Sequence, residues 1–114
     1  MENDVYDYDI VLNSVKHYCG SLLEEDDTEF DNEFLMAINS SLQSAYQSND
    51  KIKNIEVTSS TTWDELSDDK SITPLLKTYI SIKTKKVFDP SASSIIQKAY
   101  DEELNELFFR MSVI

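Results

Sequence analysis

Glycine is nearly missing from this 114-residue chain, which has one, together with two prolines, one cysteine, one histidine and one tryptophan. Sheet-rich folds need many tight turns, and those turns draw on glycine, so the shortage points to long helices and few hairpins. The lone Cys19 has no partner for an internal disulfide, and a reducing compartment is the simplest reading. A P-loop, zinc-ligand spacing and a nucleophile elbow are all missing, so no catalytic, cofactor or metal site is expected and the chain does not read as an enzyme. Carboxylate pairs abound only because acids abound, and carry no catalytic signal. No apolar run approaches the ~20 residues that span a bilayer, so no membrane partner is expected. The acidic opening Met1-Glu2-Asn3-Asp4 argues against a secretory signal or a basic transit peptide.

What is present is a charged, moderately hydrophobic chain. Hydrophobic residues make up 40%, adequate for one globular domain over residues 1–114 and too many for wholesale disorder. The net charge is -12, but unevenly spread. Residues 1–33 hold eleven acids against Lys16, while residues 70–98 hold six lysines against Asp89. Such a dipole in sequence suits either head-to-side association of copies or two solvated faces. The lysine cluster is small beside the total acid, so an independent DNA-binding face is not expected.

Hydrophobic periodicity predicts an all-α bundle of about four helices. The first runs from Asp7 to Cys19 on a stripe of Tyr8, Val11, Leu12, Val15, Tyr18, Cys19 and Leu22, with Gly20 as a left-handed C-cap. His17 falls on the opposite face, with no ligand at metal spacing, and reads as a surface histidine. The second runs from Thr28 to Gln47 on Phe30, Phe34, Leu35, Ile38, Leu42, Ala45 and Tyr46. Asp26 with Glu29 reads as its capping box; an EF-hand fails there because the glycine and closing glutamate sit at the wrong offsets. Residues 48–61 lose the period and are expected to form a long loop, functional or mobile, in which Ile52, Ile55 and Val57 supply at most one short strand. Thr62-Trp63-Asp64-Glu65 is a second capping-box pattern. Trp63 anchors this segment in the core or serves as an interface hot spot.

The third helix runs from Ser71 or Thr73 to Phe88, with Pro74 in its first turn and a stripe of Ile72, Leu75, Leu76, Tyr79, Ile80, Ile82 and Val87. Lys83 and Lys86 fall inside that apolar arc. Either their stems snorkel past its edge or they pair with acids of a neighbouring subunit. The fourth runs from Ser91 to Met111 on Ile96, Ala99, Tyr100, Leu104, Leu107, Phe108 and Met111. Asp89 suits its N-cap and Pro90 its first position, making Phe88-Asp89-Pro90 a tight antiparallel hairpin. Phe109 projects from the opposite, charged face, where partner contact is the better reason for a large aromatic.

A helix carrying Lys77-Thr78-Tyr79 and Lys83, ending in Phe88-Asp89-Pro90 with Ser94, then a helix ending in Glu106-Leu107 and Arg110-Met111, resembles the head-tail connector (adaptor, or head-completion) proteins of long-tailed bacteriophages. Ile38-Asn39-Ser40 and the Trp63-Asp64 turn stand in family order. Thr84 and Lys86 replace residues usually apolar in that family, and Phe109 stands where tryptophan is common.

The resemblance implies a structural virion protein at the head–tail interface, assembled in the host cytoplasm. It implies a ring, typically dodecameric, beneath the portal protein. The ring prolongs the DNA channel, through which DNA passes without specific binding, and offers a platform to a stopper or tail-completion protein. Within that frame the expected partner-binding residues are Ile55, Val57, Trp63, Lys83, Lys86, Phe109, Arg110 and Ile114. The C-terminal tail, residues 112–114, is expected to dock on the portal, and the 48–61 loop to face the tail. The alternative from another class is a small acidic DNA mimic that blocks a nucleic-acid enzyme.

Overall fold

The computed structural model describes residues 7–20, 28–88 and 93–114, and these form four α-helices in a flat slab of 44 × 36 × 20 Å. In chain order they are α1 (Val11–Cys19), α2 (Asp31–Tyr46), α3 (Thr73–Phe88) and α4 (Ser94–Ser112), with one 3-10 turn at Trp63–Glu65 before α3. No strand forms among the described residues. The expected all-α bundle is therefore what folds.

α3 is the hub. α1, α2, α4 and the 3-10 turn all pack on it. Phe34 of α2 stacks on Phe88, with ring centroids 4.2 Å apart. Tyr79 meets Phe108 of α4, and Lys86 pairs with Asp101, so α3 and α4 run antiparallel, as the hairpin reading requires. A helix surrounded by neighbours buries more than one stripe. Ser81 and Thr84 accordingly join Leu76, Tyr79, Ile80 and Ile82 in the interior. Val87, expected in the stripe, is exposed instead.

The helix ends differ from the sequence reading in instructive ways. α1 starts at Val11, not Asp7, because Ile10 forms an antiparallel bridge with Thr62. The Val11 amide donates to the Thr61 carbonyl (2.9 Å) and the Trp63 amide to the Asp9 carbonyl (3.0 Å). Extended pairing with the loop thus claims residues that local periodicity assigns to helix. Tyr8 and Tyr18 are largely exposed, and Leu22 lies outside the described residues. Gly20 does end α1 at positive φ (79°), a conformation only glycine takes easily, though its ψ of -138° is not that of the left-handed helix.

α2 starts at Asp31 with Phe30 at its N-cap. Glu29 precedes the helix and so cannot close a capping box; Asp26 lies outside the described residues. Phe30 and Tyr46, at the two ends of the expected stripe, are exposed. The buried Lys16 of α1 reaches Asp31 at 2.7 Å, tying α1 to the first turn of α2. The Thr62–Glu65 capping box forms as expected, with the Thr62 amide donating to Glu65 Oε2 at 2.8 Å.

α4 starts at Ser94 rather than Ser91. Its N-cap is Ser93, whose hydroxyl accepts from the Ile96 amide at 3.3 Å. Asp89 therefore does not cap it, and Asp89 and Pro90 lie outside the described residues. Ile96 and Ala99 are exposed, so the stripe that α4 buries on α3 is Leu104, Leu107 and Met111, with Tyr100 and Phe108 partly covered.

Candidate partner-binding surfaces

The 48–61 segment is not a free loop. Ile52 and Val57 are fully buried in the core, and Ile52 bridges Ser67 in antiparallel fashion. The Lys53 amide donates to the Leu66 carbonyl at 2.7 Å. Asn39 of α2 acts as a substitute strand partner: its Oδ1 accepts from the Val57 amide at 2.7 Å, and its Nδ2 donates to the Val57 carbonyl at 3.1 Å. One amide side chain thereby satisfies both polar groups of a buried residue, which a sheet neighbour would otherwise do. Two residues apart, Ile55 and Val57 would share one face of a regular strand; here Val57 is buried and Ile55 exposed, so the segment does not run as a strand.

Two of the expected partner residues lie inside the folded subunit. Val57 is 2% exposed and Trp63 5%, so both belong to the core of the subunit. Trp63 takes the anchoring role, with Lys77 Nζ lying 5.8 Å from its ring. Ile55 remains at the surface. It lines a shallow groove with Asn32, Leu35, Met36 and Asn39 of α2 and residues 56–59 of the loop. Met36, absent from the expected list, is 73% exposed at its centre. Its signal in the sequence is that it falls outside the α2 stripe, yet is a large apolar residue.

Lys83 and Lys86 come together in a second groove, between α3 and α4, over Tyr79, Leu104 and Phe108. Both find partners within the chain. Lys86 pairs with Asp101, and Lys83 lies 3.5 Å from Ser44 Oγ and 5.7 Å from the Tyr79 ring. Burial raises the Tyr79 phenol above its ordinary value, with Ser44 offsetting part of the effect by hydrogen bonding. The other lysines of the basic stretch point elsewhere, Lys85 over Tyr18 and Lys77 over Trp63. The charge dipole legible in the sequence is thus not one basic patch but lysines distributed around α3.

A third surface lies on α4. Phe109 is 63% exposed, as expected for the face opposite the core stripe, and Ile95, at 80%, shares that face. Arg110, Val113 and Ile114 are exposed near the chain end. This end is held by the loop: Asn49 Nδ2 donates to the carbonyls of Met111 (2.9 Å) and Ile114 (3.2 Å). The last turn of a helix leaves carbonyls without helical partners, and Asn49 supplies donors for them. The start of the 48–61 segment and the chain terminus therefore meet at one end of the slab.

Among the described residues the one histidine and the one cysteine stand apart from any metal-binding group. His17 is exposed beside Tyr8, 3.3 Å from its hydroxyl. Burial pushes the Cys19 thiol up to about 11, which keeps it protonated and unreactive near neutrality. Among the described residues, no group of His, Cys, Asp and Glu could hold a metal, and no helix is long and apolar enough to cross a membrane. The described residues do expose large apolar side chains on α2 and on α4.

A family model described as "Phage connector protein" matches residues 11–114. The chain belongs to the phage connector protein family. No curated protein and no solved structure matches it. Phage connectors are structural proteins of the virion that join head and tail components.

Proposed function

We propose that this connector is one subunit of a ring, dodecameric in the virion, that seats beneath the portal, extends the DNA channel and links the head to a stopper or tail-completion protein. Assembly takes place in the host cytoplasm. The observation that carries the reading is the family match over residues 11–114. Two physical features support it. The slab shape and the separate exposed apolar faces suit a subunit with neighbours on both sides. A net charge of -12 suits a channel wall that repels DNA phosphates and does not retain passing DNA.

Within this reading the chain end, residues 112–114 with exposed Ile114, meets the portal. The buried stripe ends at Met111, so deleting residues 112–114 leaves it in place, with the Asn49 bond to the Met111 carbonyl. The test has two parts. Mass spectrometry of purified virions should find the protein in multiple copies per particle; its absence from virions would favour the DNA-mimic reading. A chain ending at Met111 should stay folded, with at most a small drop in melting temperature, and lose co-sedimentation with portal. Normal portal binding by the truncated chain would move the portal contact elsewhere.

A further inference from the structure

The ring reading leaves open which surfaces of neighbouring subunits touch, and the two apolar faces left uncovered in the monomer suggest an answer. We propose that the outward face of α4 on one subunit docks in the α2–loop groove of the next. This inference rests on the ring reading and specifies its contact. α2 and α4 both pack along α3 and make their main contacts there rather than with each other. On α2, Met36 projects opposite the buried Phe34, Ile38, Leu42 and Ala45. On α4, Ile95, Ala99 and Phe109 project opposite the buried Leu104, Leu107 and Met111. The two faces therefore sit on different helices, each turned away from its own buried stripe. A contact between two unlike surfaces of the same chain is heterologous, the kind that propagates from subunit to subunit and closes into a ring.

Size and charge both select this occupant. The α2 side of the groove runs from Asn32 to Gln43, about 16 Å at 1.5 Å per residue, and Ala99 to Phe109 on α4 spans about 15 Å. Phe109 can then lie on Met36, Leu35 and Ile55, a thioether and two aliphatics receiving an aromatic ring. Between Ala99 and Phe109 the α4 face carries Glu102 and Glu106. In an antiparallel pairing of two α4 helices these acids would face one another and repel. The groove instead offers uncharged amides, Asn32, Gln43 and Asn54, the last two bonded to each other at 3.2 Å. Its single acid, Glu56, is available to Arg110 at the end of the α4 face.

Thiol cross-linking tests the contact. On a Cys19→Ser background, Met36→Cys and Phe109→Cys are introduced singly and together, and portal-bound assemblies are treated with a short bis-maleimide. The double variant should yield a ladder of trimers and larger species, because each subunit carries both halves of the contact, while neither single variant cross-links. Dimers from Phe109→Cys alone would mean α4 pairs with itself, and would overturn the proposal. Intact rings without a ladder would overturn it too, leaving the connector reading standing. Failure of the Cys19→Ser parent to join the portal at all would instead remove the ring reading, and this proposal with it. As a second measurement, Phe109→Asp and Met36→Asp should each cut ring yield about tenfold or more. Both positions are exposed in the monomer, so their melting temperatures should stay at the parent value; unchanged ring yield in both would also overturn the contact.

Discussion

α3 and α4 lie side by side and antiparallel, yet their sequences speak very differently about their surroundings. α3 is packed on by α1, α2, α4 and the 3-10 turn, and buries polar Ser81 and Thr84 along with its apolar residues. α4 rests chiefly on α3 and buries only Leu104, Leu107 and Met111. A helix covered on one side shows one stripe; a helix covered on several sides shows a blurred one. That is why Lys83, Lys86 and Thr84 look out of place in α3, and why Phe109 can be recognised as outward-facing in α4. It also separates roles: α3 holds the subunit together, while α4 is free to present a face to a neighbour.

The largest test of this contrast is a pair of truncations. Ile80→Ala, at a fully buried α3 position, should cost about 3–4 kcal/mol of stability; Leu104→Ala, at the margin of the α4 stripe, about 2 kcal/mol. Denaturant midpoints measured together settle the order, and a costlier Leu104→Ala would show α4 to be as central as α3. Thr84→Val comes next and has the opposite sign. The Thr84 hydroxyl is buried with no hydrogen-bond partner among the described residues, so an isosteric methyl should stabilise by about 1 kcal/mol. A fall in melting temperature would mean that hydroxyl has a partner after all.

The smaller effects concern α4. Asn49→Ala removes the donors to the Met111 and Ile114 carbonyls and should cost about 0.5–1 kcal/mol. Amide hydrogen exchange should quicken in the last turn of α4 and not in α3; unchanged exchange there would discount the clamp. Phe109→Ala should shift subunit stability by less than about 0.5 kcal/mol, since the ring contributes little to the monomer core. A large loss in the isolated subunit would place Phe109 in the fold and take it out of the interface.

How legible the molecule is in its sequence varies by element. The four helices follow from periodicity, because burial on one side writes a period of 3.6 residues into the chain. The Thr62–Glu65 capping box and the positive-φ Gly20 are legible for the same local reason: their bonds or backbone angles involve residues a few positions apart. The start of α1 is not, since Ile10 is drawn out of the helix by Thr62. Nor is the burial of Val57, which depends on Asn39, or the meeting of Asn49 with the chain end. Of the residues first expected to bind partners, Phe109 and Ile55 keep their exposure and Trp63 and Val57 do not. Met36 enters only when the loop is seen to build a groove beside it.

By itself, then, the sequence determined the all-α class, the antiparallel order of α3 and α4, the outward direction of Phe109 and the resemblance to phage connectors. Each of these is carried by local spacing or by a motif of contiguous residues. Tertiary structure alone decided that the 48–61 segment is core-bound, that the lysines of α3 disperse over Trp63, Tyr18, Tyr79 and Asp101, and that Met36 stands beside the groove the loop builds. Those outcomes depend on hydrogen bonds and packing between residues distant in the chain, such as the 18 positions from Asn39 to Val57 and the 62 from Asn49 to Met111, and no local pattern encodes which distant partner a side chain will meet.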